Sequence, residues 1–506
     1  MERKWSDLFR RLLAKDRSPP VEGSRWDAAS ACSRGARTRL VPKVLTLFAG
    51  RGHAVRCPVR VHASSRAVAS TVAPRGREEE KLSVGPILIF DKSALQALSV
   101  DESVWLDQFF LSNITPLFYV ETLADLEKEV RKGHTPEGVV GLIAAKAPTG
   151  AAPNVHHQTL ILHELAGGPP LGMDTRPVVS GGTRKRTADG RVAIDFEQFP
   201  ESAALDRWQA GDFLDLERRA ARTWRADLSS HDIDRDVALV ANMLPRGRRT
   251  PDLRTLKDEV DVLCGRADGP FVHAMLELLD VPAPGRPRVH TRWKQAGSPE
   301  DLGSFAPFAT HVLKVTLLYL IGVQKGLISG ERASNRVDIA YLFYLPFCMM
   351  FTSGDRLHKR TAPLFLTDQQ SFLPAEELKQ ALAEYEQHFE SYPDDVKAQG
   401  VMRFASFPPS SIENAVATSW DRFMRPGWRE VAQAHEERVL SPGFAEEELA
   451  SAQEFNDLRA QAQPVDDGDG DGDGPASSLD EADIVMVERR VPVRRGKWSI
   501  VPPSVR

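Results

Sequence analysis

The sequence is poor in cysteine and contains no long hydrophobic run. Its four cysteines are far apart and form no CxxC pair: Cys32, Cys57, Cys264 and Cys348. This spacing argues against a disulfide framework and against a structural zinc site. No segment reaches the roughly 18 uncharged apolar residues that a membrane span requires. The sequence therefore predicts a soluble protein of the reducing cytoplasm that has no membrane partner.

Short motifs of several common enzyme classes are also absent. The chain contains no GxGxxG, no GxxxxGK[ST] and no GxSxG segment. This argues against dinucleotide-binding, P-loop and serine-hydrolase functions. The composition, 42% hydrophobic and 27% charged, is that of an ordinary globular protein and excludes collagen-like and wholly disordered chains.

Charge is distributed unevenly along the chain. Residues 1–80 carry 17 Lys and Arg but only 8 Asp and Glu, a net charge of +9. Because the whole chain carries −5, residues 81–506 carry −14. A transit peptide or a nucleic-acid-binding arm has a similar basic composition, but little helical periodicity follows Leu13. We interpret residues 1–84 as a basic, poorly ordered extension. The acidic remainder does not by itself indicate a nucleic-acid groove.

From residue 85 onward, short apolar runs alternate with helical patterns. Four runs predict strands, at Pro86–Phe90, Pro116–Val120, Phe347–Phe351 and Pro363–Leu366. Helical patterns occupy residues 92–112, 123–130, 305–326 and 333–345. Continuous apolar runs are typical of strands buried on both faces of a parallel sheet, and their alternation with helices indicates an α/β fold.

The remaining segments predict a division of the chain around this core. We expect a core at 85–131 and 301–372, a mostly helical insertion at 132–300, a helical C-terminal region at 373–462 (with its clearest helices at Glu376–Glu390 and Glu446–Gln461), an acidic Asp-Gly linker at 463–481 and a basic tail at 482–506. The Asp-Gly run can be aligned with a calcium loop, but it lacks the final Glu and flanking amphipathic helices. We therefore interpret it as a flexible linker.

Four acidic residues lie at the ends of predicted core elements: Asp91, Glu121, Asp338 and Asp355. Three of them follow predicted strands, and the carboxyl ends of parallel strands share one edge of a sheet. Carboxylates at close range repel one another unless cations neutralise them, and Mg²⁺ and Mn²⁺ prefer oxygen ligands. The sequence therefore predicts a metal site that activates water for phosphodiester hydrolysis.

Each acid also has an ordinary structural role open to it. Asp91 and Asp355 can cap helices, and Glu121 suits a first helical turn. Asp338 lies in an apolar helix and can pair with a neighbouring arginine, Arg332 or Arg336.

A second chemical cluster consists of His156, His157, His163 and Glu164. Zinc ligation from a helix usually uses an i, i+4 spacing and a third ligand. The spacing here is i, i+7, so we interpret these residues as structural or surface groups.

The four acids stand in segments that resemble PIN-domain nucleases. Ile89–Leu95 looks like the opening strand of that family, where an Asp is followed two residues later by Ser or Thr. Tyr119–Leu123 is similar to the second acidic position. Asp338–Tyr341 and Met350–Asp355 resemble the closing half, a helical Asp followed by a strand, a hydroxyl residue and a last Asp. The interval between the second and third acids is much longer than in compact PIN domains.

The resemblance implies a Rossmann-like parallel sheet, Mg²⁺ or Mn²⁺ bound by the four acids, and endonucleolytic cleavage, usually of RNA. It also implies homodimers, since small PIN domains often pair. Weaker candidates for binding substrate phosphates are Ser93, Ser353, Arg356 and Lys359. The alternative is a PIN-like scaffold without catalysis, in which the insertion or the basic tail binds a protein partner.

Overall fold

The computed structural model describes residues 85–149, 151–179, 183–186, 192–196, 200–229, 233–241, 243, 250–332, 334–441, 463–464, 484–487 and 492–501. The predicted extension at 1–84, the Asp-Gly run and the predicted helix at Glu446–Gln461 lie outside these residues.

Eleven strands fall within the described part of the chain. They are β1 (Ile87–Phe90), β2 (Leu111–Ile114), β3 (Ala152–Pro153), β4 (Thr183–Arg186), β5 (Val192–Phe196), β6 (Met350–Ser353), β7 (Ser371–Pro374), β8 (Gln463–Pro464), β9 (Ile484–Val487), β10 (Arg494–Arg495) and β11 (Trp498–Ser499).

The α-helices of the same residues are α1 (Lys92–Ala97), α2 (Glu102–Phe109), α3 (Pro116–Ala124), α4 (Leu126–Val130), α5 (Pro136–Lys146), α6 (His157–Leu165), α7 (Pro200–Gln209), α8 (Asp215–Ser229), α9 (Ile233–Val240), α10 (Leu253–Cys264), α11 (Gly269–Leu278), α12 (Arg286–Gln295), α13 (Leu302–Phe305), α14 (Pro307–Gln324), α15 (Asn335–Ala340), α16 (Arg356–Thr361), α17 (Ala375–Glu390), α18 (Asp394–Ala398), α19 (Val401–Phe404), α20 (Ala415–Phe423) and α21 (Trp428–Val439). Short 3₁₀ segments occupy Ala283–Gly285, Tyr341–Phe347 and Ala362–Leu364.

The centre of the fold is a parallel sheet in the order β3-β2-β1-β6-β7. In the middle of it, Ile89 of β1 lies between Asn113 of β2 and Phe351 of β6. All residues of β1, β2 and β6 are buried, because helices cover both faces of the sheet. The predicted α/β fold with a parallel sheet is confirmed.

One predicted strand, Pro116–Val120, is wrong, because these residues begin helix α3. Pro116 lies in the first turn, where a helix does not need the missing N–H. All but one of the nine residues of α3 are buried, so its sequence is apolar without a helical period. The strand is Leu111–Ile114, which begins at the end of the stretch predicted as helix, residues 92–112.

The second half of the core differs from the prediction in three further places. Strand β6 begins at Met350, three residues later than predicted, and ends at Ser353. The predicted helix at 333–345 is short, because the chain tightens into a 3₁₀ segment that contains Pro346. The predicted strand at Pro363–Leu366 is wrong: Ala362–Leu364 is a 3₁₀ turn, and the outer strand is β7.

Residues 132–300 contribute to the central sheet as well as to the helices around it. Strand β3 pairs with β2 and forms one edge of the central sheet. The core of the fold therefore includes residues from the stretch predicted as an insertion. A second sheet, in the order β8-β4-β5-β9, joins this stretch to strands near the C-terminus. Helix α14 confirms the predicted buried helix at 305–326. It is the one described helix long and apolar enough for a membrane span, but 67% of it is buried inside the fold.

The described part of the basic tail folds back onto the body of the protein. The buried guanidinium of Arg495 donates a hydrogen bond to the carbonyl of Ala147, 2.9 Å away. Lys497 forms an ion pair with Glu386. The ring of Trp498 meets Trp105 edge to face, at 4.9 Å between centroids. Two basic residues of this tail are therefore used within the chain itself.

Candidate metal site

The structure brings the four predicted acids together at the carboxyl edge of the sheet. Asp91 directly follows β1, and Asp355 follows β6 after one glycine. Glu121 lies on α3, which follows β2, and Asp338 lies on α15. Helix α15 contacts both α3 and α16, and the charge of each of the other three acids acts on Asp338. Glu121 thus joins the group from a helix, not from the end of a strand as predicted.

Asp91 is the most deeply buried of the four, at 3% exposure. Its carboxylate accepts hydrogen bonds from the backbone N–H of Ala94 at 2.8 Å, from Ser93 Oγ at 2.8 Å and from Ser353 Oγ at 2.6 Å. The first of these bonds makes Asp91 the N-cap of α1. Asp91 therefore has the helix-capping role that the sequence allowed, and it also belongs to the acidic group.

His358 is a fully buried cation beside Asp91. Its Nε2 lies 2.5 Å from the carbonyl oxygen of Asp338, and a carbonyl only accepts, so Nε2 carries a proton. Its Nδ1 lies 2.7 Å from Ser353 Oγ and 3.3 Å from Asp91 Oδ2. Burial lowers the pKa of His358, but the hydrogen bond to Asp91 and its charge outweigh burial and raise the pKa to about 9.

The same contact acts in the opposite direction on Asp91. Burial raises the pKa of Asp91, but the hydrogen bond and charge of His358, together with the bond from Ser353, lower it below the ordinary value. Asp91 and His358 therefore form a buried ion pair at neutral pH.

A second resident cation, Lys92, lies on the other side of the group. Its buried ammonium forms an ion pair with Asp125 and lies 3.8 Å from Glu121 Oε1. Asp125 is a fifth acid that the sequence analysis missed. The available signal was its position four residues after Glu121, which places both on one helix face. Asp91, Glu121, Asp125, Asp338 and Asp355 together are called the acidic cluster below.

Two carboxyl groups of the acidic cluster have pKa values well above the ordinary range of carboxylic acids. Burial, helped by the charges of Asp91 and Asp125 and opposed by Lys92, raises the pKa of Glu121 to about 7. Burial and the charge of Glu121 raise the pKa of Asp338 to about 8. Among the described residues no hydrogen-bond donor to the Asp338 carboxyl is found, so the alternative role of this acid, pairing with Arg332 or Arg336, gains no support there.

The candidate phosphate-binding residues divide into two kinds. Ser353 is fully buried, and Ser93 bonds Asp91 and accepts from the backbone N–H of Gly354, so both serines hold the acidic cluster in place. Lys359 forms an ion pair with Glu376 at 2.7 Å. Arg356 is exposed and forms no ion pair within the described chain.

The chemistry of the acidic cluster fits a hard divalent cation, although its present side-chain arrangement is not a finished site. Carboxylate oxygens are the ligands that Mg²⁺ and Mn²⁺ prefer. Yet no three His, Cys, Asp or Glu side chains of the described residues are placed to hold one metal ion. Lys92 and His358 each take up a carboxylate oxygen that such an ion would need. Metal binding would therefore require side chains of the acidic cluster to turn.

The histidine cluster has structural contacts. His156 caps α6, where its Nδ1 accepts from the backbone N–H of Gln158 at 3.2 Å. The carboxylate of Glu164 is buried and accepts from the backbone N–H groups of Phe308 at 3.1 Å and Ala309 at 2.8 Å. Glu164 thereby satisfies the first turn of α14, to which its charge is also favourable.

Replacing Glu164 by Ala is expected to lower the free energy of unfolding by about 1–3 kcal/mol, because it leaves buried N–H groups of α14 without an acceptor. Urea denaturation measures this loss. Glu164→Gln keeps one acceptor oxygen and should recover part of it. A stable Glu164→Ala protein with altered metal binding would contradict the structural role.

The fold and the acidic cluster define the class of the molecule: an α/β protein with a parallel sheet whose carboxyl edge carries five carboxylates and two buried cations. No known protein family, no curated protein and no solved structure gives a match to this chain.

Proposed function

We propose that this protein is a metal-dependent endonuclease with a PIN-like core that acts on RNA in preference to DNA. The observation that carries the proposal is the environment of Asp338. This carboxyl is largely buried, lacks a hydrogen-bond donor among the described residues and faces Glu121, Asp355 and Asp91. A protein gains nothing in stability from such a group, and carboxyls of this kind are concentrated at functional sites.

Asp91, Glu121, Asp338 and Asp355 would hold Mg²⁺ or Mn²⁺. When bound, the ion would supply a water of lowered pKa and stabilise negative charge on a phosphodiester. The remaining residues act through position: His358 and the two serines orient Asp91. Arg356, exposed one residue after Asp355, would bind a backbone phosphate.

The choice of RNA, a cytoplasmic location and pairing of two copies rest on the resemblance to PIN-domain nucleases and on the lack of cysteine pairs. The acidic charge of the body gives them no support, since nucleic-acid-binding surfaces are usually basic.

One specific observation favours a second candidate, a PIN-like scaffold that binds partners without catalysis. Lys92 and His358 already neutralise two members of the acidic cluster, with Asp125 and Asp91 as their partners. In a protein of this fold that binds no metal, such ion pairs would neutralise the buried carboxylates in place of the metal ion.

Cleavage of mixed single-stranded RNA and DNA oligonucleotides with Mn²⁺ tests the proposal. We expect the wild type to cut RNA, and Asp338→Asn to lower the rate at least about 100-fold, beyond the usual effect of residues that only support metal ligands. Glu376→Gln, a change at an exposed acid that pairs with Lys359, should cut normally. Folded wild-type protein that does not cut would favour the scaffold, and equal cutting by Asp338→Asn would indicate a contaminant.

A further inference from the structure

A tyrosine that the sequence analysis did not single out lies directly behind the acidic cluster. Tyr341 is fully buried, and its phenol donates a hydrogen bond to Glu121 Oε2 at 2.8 Å. The other carboxylate oxygen of Glu121 faces Lys92 at 3.8 Å. Each oxygen of this partly buried carboxylate therefore has its own partner, so two contacts fix the orientation of the carboxylate.

The position of Tyr341 in the chain links two members of the acidic cluster. It comes three residues after Asp338 and begins the 3₁₀ segment that continues α15. Residues three apart in a helical segment lie on the same side of it. One short segment thus supplies the acid Asp338 and holds the acid Glu121, which comes from another helix.

The ring of Tyr341 has little freedom to move. It stacks on Phe351 of β6, with 6.4 Å between centroids, and meets His358 edge to face at 5.8 Å. His358 in turn contacts Asp91 and the carbonyl of Asp338. Tyr341 and His358 therefore form one packed layer behind the acids, in which each ring fixes a different carboxylate.

From this geometry we propose that Tyr341 is a positioning residue of the metal site, whose hydroxyl restrains Glu121 so that its carboxylate stays with the acidic cluster while other side chains of the cluster turn to bind Mg²⁺ or Mn²⁺. The inference rests on the proposed function. The hydroxyl is the relevant group because the ring alone already fills the space between Phe351 and His358. Groups that hold metal ligands typically account for about 10–100-fold in metal affinity.

Calorimetric titration of the full chain with MnCl₂ tests this. Tyr341→Phe removes the hydroxyl and keeps the ring, and we expect Mn²⁺ affinity to fall about 10–100-fold. The matched control is Tyr385→Phe. The phenol of Tyr385 is also buried and donates to Asn414 Oδ1 at 2.9 Å, on a helix and a loop outside the acidic cluster. The Tyr385→Phe variant should bind Mn²⁺ like the wild type. Urea denaturation should show similar small losses in the free energy of unfolding for Tyr341→Phe and Tyr385→Phe.

A second comparison isolates the contact itself. In Glu121→Gln the carboxylate is already absent, so adding Tyr341→Phe should weaken Mn²⁺ binding no further. Wild-type affinity in Tyr341→Phe, or an equal loss in Tyr385→Phe, would overturn the inference while leaving the metal site intact. Wild-type protein that binds no Mn²⁺ would overturn the proposed function and this inference together.

Discussion

Replacing Asp91 by Asn lowers the free energy of unfolding by about 3–5 kcal/mol, the cost of removing one partner from a buried ion pair. The side chains of Asp91 and His358 are 4% and 1% exposed, so water cannot replace the lost contact. The change also weakens the cap of α1 and the bonds from Ser93 and Ser353. Urea denaturation at pH 7 in the presence of a chelator measures the loss.

Asp338→Asn provides the matched comparison. The pKa of Asp338 is raised to about 8 by burial and by Glu121, so this carboxyl is mostly neutral at pH 7. An amide of the same shape should therefore change stability by less than about 1 kcal/mol, as expected where no specific contact is lost. Similar losses in both variants would show that His358 is not paired with Asp91 as the structure has it.

This difference decides which variant can test catalysis. Asp91→Asn combines loss of a proposed metal ligand with loss of stability, so the absence of cleavage by this variant would not test the proposed role of Asp91 in metal binding. Asp338→Asn removes a proposed metal ligand from a protein that we expect to remain folded. The four acids are therefore not equivalent probes, although the sequence presents them alike.

The sequence placed Asp91 and Asp355 correctly because each follows a short apolar run at the end of a core strand. Glu121 was placed at the right edge for a wrong reason, since its apolar run is a buried helix, and such a run has the same pattern as a buried strand. Glu121 still lies in the acidic cluster because α3 begins just beyond the carboxyl end of β2.

The residues that hold the acids could not be predicted in the same way. Tyr341 bonds an acid 220 positions away, and Ser353 bonds one 262 positions away. No local pattern encodes such contacts. His358 lies in the charged sequence Arg356–Arg360 that follows Asp355, yet the fold buries this histidine while Arg356 stays exposed. The burial of single members of a charged run is decided by tertiary packing, not by composition.

The second large effect is a loss of stability of the metal-free protein as pH rises from 6 to 9. The folded pKa values of Glu121 and Asp338, about 7 and about 8, lie above their ordinary values of 4.5 and 3.8. Stability that depends on their protonation is present at low pH and is lost as pH rises through these values. The pKa of His358 is raised from 6.5 to about 9, so the stability from its pairing is complete below 6.5 and is lost through 9. Asp91, whose pKa is lowered, stays ionised throughout this range.

The three groups with raised pKa values thus all reduce stability as pH rises from 6.5 to 7. Above pH 7, further loss comes mainly from Asp338 and His358. Each extra proton held by the folded state costs about 1.4 kcal/mol per pH unit, so we expect a total loss of about 2–4 kcal/mol after allowance for partial exposure. Urea denaturation with a chelator at pH 6, 7, 8 and 9 measures it. Asp338→Asn should flatten the profile. In the proposed metal site Mg²⁺ or Mn²⁺ would compete with protons for these carboxylates, so either ion should stabilise the wild type more at pH 8.5 than at pH 6. A flat wild-type profile, unchanged by metal, would show that the carboxylates of the acidic cluster do not interact as the structure places them.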